Sequence, residues 1–429
     1  MEKIDVAILG LGTVGQGVVK ILQKNEALWP KKCQAAINIK KVFVRNLQKK
    51  REVDLPAGVL TDKWQEIIDD PAIKVVIELM GGIEPARTYI LQALEKGKNV
   101  VTANKDLLAE HGDELFMACE NNAVDLYFEA SVGGGIPIIN PLKQSLLANN
   151  IEKVMGIING TTNYILTRMA QAGLSFETAL KEAQELGYAE ADPTSDVEGL
   201  DAARKIAILS SIAFHTRVKL ADVFVEGITG ITPDDITYAR EMGYTIKLLG
   251  IGSSDGQDVE VRVHPALVPV QHPLASVNDA FNAIFVKGDA VGDTMFFGLG
   301  AGQLPTASSV VGDLLEVINN IRTKSTGRRA CTCYEGRTIT PMGEVMTNYF
   351  LRLRVIDRPG VLASIAGVFG NHGVSLASVV QKGSFQDEAE LAVITHRVKE
   401  KDIQDALKVI KEMSITKAIV SQIRVEGLE

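Results

Sequence analysis

The stretch Gly10-Leu11-Gly12-Thr13-Val14-Gly15 follows directly on the apolar run 4–9 and opens a segment, 14–28, whose apolar residues have helical spacing. A G-x-G-x-x-G turn between a strand and a helix constrains the fold strongly. The glycines let backbone approach a pyrophosphate, and the helix N-terminus presents oriented N–H groups to it. A tight turn without a ligand is the plainer alternative. Residues 37–44, 74–79 and 100–103 read as further strands, 124–129 as extended chain, and 85–96 and 106–121 as helices, the first stopped by Gly97. Strands alternating with helices imply parallel pairing, hence an α/β fold with a doubly wound parallel sheet of Rossmann type.

When the cofactor is NAD, the second strand ends in a carboxylate that bonds the ribose 2′-hydroxyl. Here the strand end reads Val42-Phe43-Val44-Arg45-Asn46, without an acid, and Lys49, Lys50 and Arg51 follow. Arg45 would pair with a 2′-phosphate that a carboxylate would repel. The expectation is NADP, with NAD possible; a solvated basic loop is the alternative.

Beyond Gly133-Gly134-Gly135 the pattern changes. Helices are expected to dominate 137–250, followed by strands at 259–263 and 282–287 and a helix at 306–320 that returns to the first domain. The chain has 429 residues, 46% of them apolar, enough for two or three domains with a sizeable core. The division expected is a nucleotide domain at 1–135 with the returning helix 306–322, an α+β substrate and dimerisation domain at 136–305, a polar linker at 323–347 and a C-terminal domain at 348–429.

A net charge of −8 argues against nucleic acid as a partner. No apolar run approaches the ~20 residues that span a bilayer, and the start, MEKIDVAILG, reads as a strand rather than a cleavable signal. Four cysteines in this length are not a disulfide framework, and Cys331-x-Cys333 reads as two ordinary reduced thiols. A cytoplasmic location fits. Six scattered histidines give no zinc spacing, and Cys119 lacks the histidine motif an acyl-transferring thiol would need.

In Gly187 to Lys205, five carboxylates, Glu190, Asp192, Asp196, Glu198 and Asp201, precede one lysine. Ser195 and Glu198 have capping-box spacing, so a helix is expected to start there, with Asp201 and Lys205 one turn apart on one face. A capped surface helix with one ion pair is the ordinary reading. The continuation IAILSSIAF (206–214) is too apolar for that, and the acids exceed what one lysine neutralises. A site for a small zwitterion explains the excess: carboxylates hold an ammonium, and a lysine serves as general acid or base. Lys105, in Thr102-Ala103-Asn104-Lys105, follows a strand's carboxyl end, where ligands bind in such sheets.

AQELGYAEADPTSDVEGLDAARK (183–205) resembles the signature of the homoserine dehydrogenase family. The resemblance extends through GLGTVGQG (10–17), TANK (102–105), EASVGGGIP (129–137), NGTTNYIL (159–166) and GLGAGQLPTASSVVGDL (298–314), over essentially the whole chain and without departure at the functional positions. It implies NAD(P)-linked interconversion of L-homoserine and L-aspartate 4-semialdehyde, on the route to threonine, methionine and isoleucine. It also implies that Lys205 exchanges the proton with the substrate oxygen, assisted by Lys105. Glu190 and Asp201 would be substrate ligands, Asp196 would orient the lysines, and Gly187 and Gly302 would offer backbone near the cofactor. The family's sodium ion would sit on Glu129 and the carbonyls of Val132, Gly134 and Ile136; read from the residues alone, the glycine cluster could equally be a hinge.

The last 80 or so residues read as β-α-β-β-α-β, a ferredoxin-like order, with DRPGVL (357–362) at the first turn. This resembles an ACT domain, which pairs side by side and binds an amino acid near that turn. Gly360, Asn371 and His372 fall there, the implied effector is L-threonine, and the implied assembly is a homo-oligomer, dimer or tetramer. A dimerisation module that binds nothing is the alternative. Two competing readings of the whole chain are a non-catalytic amino-acid sensor retaining a Rossmann shell and another ACT-containing hydroxy-acid dehydrogenase. The intact Lys105, Glu190 and Lys205 speak against the first, and the lack of an Arg/His pair against the second.

Overall fold

The computed structural model describes residues 2–327, 331–385 and 387–427. Contacts divide the chain into two compact units, one of residues 1–154, 204–220 and 282–336, the other of 155–203, 221–281 and 337–429.

The first unit holds a six-stranded sheet of β1 (Glu2–Leu9), β2 (Ala35–Phe43), β3 (Leu60–Thr61), β4 (Ile73–Glu78), β5 (Asn99–Thr102) and β6 (Leu126–Tyr127), in the order β3-β2-β1-β4-β5-β6. Every pairing is parallel. The central segments of β1 (6–9), β4 (75–77) and β5 (100–101) are apolar and fully buried, as a parallel sheet covered on both faces requires. The order reverses between β1 and β4, and a ligand crevice belongs outside that point. There the chains leave the sheet together: the Gly10 amide donates to the Phe43 carbonyl (3.0 Å) and the Leu79 amide to the Leu9 carbonyl (2.8 Å). The returning helix forms as Gln303–Thr323, and its Val310, Leu314 and Val317 enter the same core as Ile4, Val6 and Ile8.

The second unit is built on a mixed sheet. Its strands run Tyr244–Ser254, Val259–Pro269, Thr416–Val425, Met346–Ile356, Glu388–Thr395 and Leu376–Phe385, in that spatial order. The last four strands, with helices Val361–Asn371 and Glu400–Glu412, realise the expected β-α-β-β-α-β order around their own core of Leu351, Leu353, Ile365, Phe369 and Ile403. That module shares the sheet with the rest of the unit: Ala266 pairs with Arg424 and Leu267 with Val425 in parallel. Buried arginines reinforce the join. Arg352 donates to Asp235 (2.6 Å), Arg424 to Glu226 (2.7 Å) and Glu400 (2.8 Å), and Arg262 to Glu426 (2.7 Å). Such pairs are strong constraints, since removing one partner strands a buried charge.

Two local expectations need correction, and a third stretch carries unexpected strands. The first helix stops at Lys24, capped at Asn25, instead of running to residue 28. Helices dominate 137–250 as expected, but strands that were not expected lie among them. Ile151–Ile157 is a strand, and Tyr244–Ser254 is an 11-residue strand; both are buried runs without the alternation that marks a half-exposed strand. No helix starts at Ser195: a single turn, Thr194–Val197, is followed by a break and then by the helix Leu200–Ala213. The break falls at Gly199, with φ +81°, where a Cβ would lie 3.1 Å from Val263 and 3.2 Å from Val225. Among the described residues no helix is long and apolar enough to cross a membrane.

His264, fully buried between Arg424, Arg262 and Glu426, is held neutral by burial and the neighbouring arginines, with its pKa pushed down to about 3. Between that value and the ordinary histidine range near 6.5 the unfolded chain takes up a proton that the folded chain does not. Stability is therefore lost as pH falls below the unfolded value, at about 1.4 kcal/mol per pH unit for one group. We expect chemical denaturation at pH 6.5 and pH 5 to show a larger loss for the parent protein than for His264→Gln. Equal losses would show that this histidine is not carried neutral.

Candidate active site

The glycine turn assigns three different tasks to its glycines. Gly10 has φ +99°, and a Cβ there would lie 2.7 Å from the Leu79 carbonyl oxygen. A Cβ on Gly15 would lie 2.3 Å from the Gly10 carbonyl oxygen, so this glycine lets the helix Thr13–Lys24 pack against its own strand. Gly12, between them, has nothing within 4 Å. It caps the helix without a side-chain bond. Leu11 is buried, Val14 half-buried and Thr13 exposed. Gly302, φ +125°, caps the helix Gln303–Thr323, which meets the glycine turn's helix at Gly17, where a Cβ would lie 2.5 Å from the Gln303 carbonyl oxygen.

Arg45 is exposed just past β2 and has no hydrogen bond or ion pair among the described residues. Its neighbour Arg51 is used locally, folding back onto the carbonyls of Asn46 (2.6 Å) and Lys49 (2.7 Å). Glu52 then anchors the basic loop to Lys20 (2.6 Å).

Lys105 starts the helix Lys105–Asn121, capped by Asn104 through a bond from the Leu107 amide (3.1 Å). The turn before it is fixed by a group the sequence reading did not single out. Glu78, fully buried at the end of β4, accepts from the Thr102 hydroxyl (2.6 Å) and the Met80 amide (2.7 Å). Burial pushes its carboxyl above the usual range. Asn104 donates to the Gly82 carbonyl (2.7 Å), so the loops after β4 and β5 are tied together.

On the acidic stretch, Asp192 is a local cap, accepting from the amide (3.1 Å) and hydroxyl (2.6 Å) of Thr194. Asp196 and Asp201 are brought together by one side chain. The Asn159 amide nitrogen donates to Asp196 (2.7 Å) and to the buried Asp201 (2.9 Å), while its oxygen caps the helix Gly160–Ala172. Asn159 lay within the quoted NGTTNYIL motif but carried no role in the sequence reading. Glu190 and Gly187 lie exposed on the turn after the helix Phe176–Glu185, and the Glu190 carboxylate has no hydrogen bond or ion pair among the described residues. Lys205 sits half-buried in the helix Leu200–Ala213, one turn after Asp201. Its neighbour Arg204 pairs with Asp106 (2.8 Å), the residue after Lys105. That contact joins the helical turn carrying one lysine to the turn carrying the other.

The expected cation cradle is densely bonded. The buried Glu129 accepts from the amides of Ile138, Ile139 (2.8 Å) and Asn140 (2.7 Å), and its own amide donates to the buried Asp313 (2.8 Å). Burial raises both carboxyls, and Glu129 raises Asp313 further. Val132 and Ile136 are buried beside it, and the Gly134 carbonyl accepts from the Ser309 hydroxyl (2.7 Å). An all-oxygen set beside two buried carboxyls suits a hard monovalent cation, whose charge would relieve their mutual repulsion. Among the described residues no cluster of three or more His, Cys, Asp or Glu could hold a metal. The glycines here permit close packing: a Cβ on Gly134 would lie 2.4 Å from the Gly300 carbonyl oxygen.

At the C-terminal turn, Gly360 caps the helix Val361–Asn371 with φ +88° and open space around it. Asn371 is exposed, and the His372 ring is engaged with the Val368 carbonyl (2.9 Å).

Comparison with known proteins finds relatives over the whole length of the chain. The family model for homoserine dehydrogenase matches residues 137–315, that for the homoserine dehydrogenase NAD-binding domain residues 10–129, and that for the ACT domain residues 349–414. A homoserine dehydrogenase of Bacillus subtilis is 48% identical over 100% of this chain and 99% of its own. The crystal structure of a homoserine dehydrogenase from Thiobacillus denitrificans aligns with a TM-score of 0.94 at 43% identity, covering 100% of this chain and 99% of that one. A hyperthermophilic archaeal homoserine dehydrogenase mutant in complex with NADPH aligns over 73% of this chain and 97% of its own, at 25% identity and a TM-score of 0.63.

The glycine geometry separates binding from folding. Gly12→Ala should leave the melting temperature within about 2 °C, since the methyl meets nothing, yet raise the KM for the dinucleotide roughly tenfold or more by blocking backbone approach. Gly15→Ala should lower the melting temperature by several degrees, the usual scale for an overpacked site. Thermal melts and cofactor titrations check both; an unchanged cofactor KM in Gly12→Ala would remove the pyrophosphate from this turn.

Proposed function

The chain belongs to the homoserine dehydrogenase family, and from that premise we propose that it interconverts L-homoserine and L-aspartate 4-semialdehyde with NADP(H) in preference to NAD(H). The ion pair between Arg204 and Asp106 carries the catalytic part of this reading, because it links the turns bearing Lys205 and Lys105. When bound, the nicotinamide supplies the hydride acceptor for the alcohol or the donor for the aldehyde. Lys205 takes the hydroxyl proton in the oxidative direction and returns it in the reductive one, for which it must act as a neutral amine. Lys105, at the start of the helix Lys105–Asn121, assists it. Glu190 and Asp201 hold the substrate ammonium, and Asp196, fixed with Asp201 on Asn159, keeps the lysines oriented. Gly187 and Gly302 offer open backbone to the cofactor.

The preference for NADP(H) rests on Arg45, exposed and without a partner among the described residues at the carboxyl end of β2, with no acid beside it. NADPH in the archaeal relative points the same way. A sodium ion would be held by Glu129 and the carbonyls of Val132, Gly134 and Ile136. Threonine is proposed as the effector of the ACT module, received near Gly360, Asn371 and His372. A homo-oligomer is supported by the strand Gly292–Leu299, on which Met295, Phe297 and Leu299 alternate as exposed apolar side chains. Four free cysteines favour a reducing, cytoplasmic setting.

The first experiment is absorbance at 340 nm with homoserine and each cofactor, with and without threonine. Lys205→Ala should lower kcat by roughly 10²–10⁴, the usual contribution of a general acid or base; near-normal turnover would remove Lys205 from the proton path. Arg45→Ala should raise the KM for NADP about tenfold and leave that for NAD unchanged, the loss of one charge-assisted contact. Parallel changes for both cofactors would leave a solvated loop as its only role. Threonine at saturation should slow turnover and raise the melting temperature; no change in either would leave the ACT module a dimerisation element.

A further inference from the structure

Cys331 and Cys333 read as ordinary thiols in the sequence, but their surroundings are not ordinary. The Arg217 guanidinium stands 3.3 Å from the Cys331 sulfur, and the Cys333 amide donates to the same sulfur (3.4 Å). Both side chains are half-buried. The neighbouring Cys333 side chain, with the Cys333 amide and Arg217, lowers the Cys331 thiol from its ordinary value, and Cys331 raises that of Cys333. The other two cysteines differ: Cys33 and Cys119 are buried, and Cys119 is pushed up to about 12 by burial.

The pair also borders the helices that carry the two lysines. It lines a cavity of about 20 Å³ together with Leu108 and Phe116 of the helix Lys105–Asn121 and Ala207 and Ile212 of the helix Leu200–Ala213. A space of that size holds one water-sized molecule. The Cys333 thiol donates to the Ser211 carbonyl (3.6 Å), the Glu335 amide donates to the His215 carbonyl (2.8 Å), and Tyr334 stacks on His215 with ring centroids 4.6 Å apart. Arg217 spans the other way, pairing with Asp113 (2.5 Å) and lying over Phe116 (5.4 Å). The thiol segment thus zips onto the end of one lysine-bearing helix, and Arg217 joins it to the other.

We propose that Cys331 and Cys333 form a thiol–disulfide switch, with a peroxide as the oxidant, whose closure slows turnover by loosening the packing behind Lys105 and Lys205. The Cys331 thiolate attacks one peroxide oxygen; an S–O bond forms, the O–O bond breaks, and hydroxide leaves and is protonated to water. The Cys333 sulfur then attacks the Cys331 sulfur, displacing hydroxide, which takes the Cys333 proton as the second water. Two thiols are oxidised by two electrons and one peroxide is reduced. A disulfide needs its Cβ atoms about 3.8 Å apart and both sulfurs turned inward. Cys331 must then leave Arg217, and Cys333 must leave the Ser211 carbonyl.

The test uses the full-length reduced protein exposed to hydrogen peroxide and then desalted. We expect free thiols to fall from four to two, peptide mapping to find the Cys331–Cys333 link, and kcat to fall about tenfold, on the scale of a small misplacement of catalytic groups. A dithiol reductant should restore all three. Cys333→Ser should trap a dimedone-reactive sulfenic acid at Cys331, and Cys331→Ser should keep its activity under peroxide. The proposal fails if Cys33 or Cys119 is consumed as fast as Cys331, if the link forms with kcat unchanged, or if Cys331→Ser is inactivated like the parent.

Discussion

One amide side chain satisfies four groups at the centre of the acidic stretch. Asn159 accepts from the amide and hydroxyl of Thr162 with its oxygen, and donates to Asp196 and Asp201 with its nitrogen. Two carboxylates thus share one neutral donor. Asparagine fits this task in both directions, whereas aspartate would offer a third negative charge and no donor. The helix cap and the pairing of the acids are therefore one requirement. A chain that folds the start of the helix Gly160–Ala172 correctly has already fixed the donor on which Asp196 and Asp201 converge.

The second unit applies the same economy with full charges. Arg352, Arg424 and Arg262 are each nearly inaccessible and each bonded to carboxylates from different parts of the sequence. Glu226, paired to Arg424, is followed by Gly227, where a Cβ would lie 2.3 Å from the Val197 carbonyl oxygen, and the Ile228 amide donates to that same oxygen (2.8 Å). Residue 197 lies one position after Asp196. A salt bridge and a close backbone contact thus connect the C-terminal module's last strand to the turn that precedes Asp201.

Much of this architecture was legible from local pattern. The parallel sheet was readable because its strands are short apolar runs separated by helical spacing and punctuated at Gly10 and Gly97. The C-terminal module was readable because YFLRLRV alternates in sequence, although in the fold both faces of that strand are buried except at Arg354, its arginine Arg352 being taken up by Asp235 and Glu390. Ile151–Ile157 and Tyr244–Ser254 were lost because they are buried on both sides, which erases the alternation. Ser195 and Glu198 carried a true capping spacing, but Gly199 breaks the helix there, and its cause, Val225 and Val263, is distant in sequence. At the candidate site, the acids and lysines proposed to meet ligands stood out by type. Their supports did not. Glu78 and Asp313 are single acids in apolar surroundings whose partners are set by tertiary contact, and no spacing rule connects 129 to 313 or 106 to 204.

The two lysines consequently depend on how two helices are fixed to each other. Asp106 pairs with Arg204, and seven residues further on Asp113 pairs with Arg217. Those clamps stand about 10 Å apart along the helix, at 1.5 Å per residue. Between them the helix Lys105–Asn121 is interrupted at His111, where φ is −127° and ψ 17°. Gly112 follows, and a Cβ there would lie 3.1 Å from the Arg217 guanidinium, so a side chain would crowd the second clamp. One clamp would leave the helix free to pivot about it; two clamps across an interrupted helix define both its position and its direction. Lys105 lies at the first clamp, and the second belongs to an arginine that also faces a thiol. The angle at which one amine is presented is thus set partly by residues more than a hundred positions further along the chain.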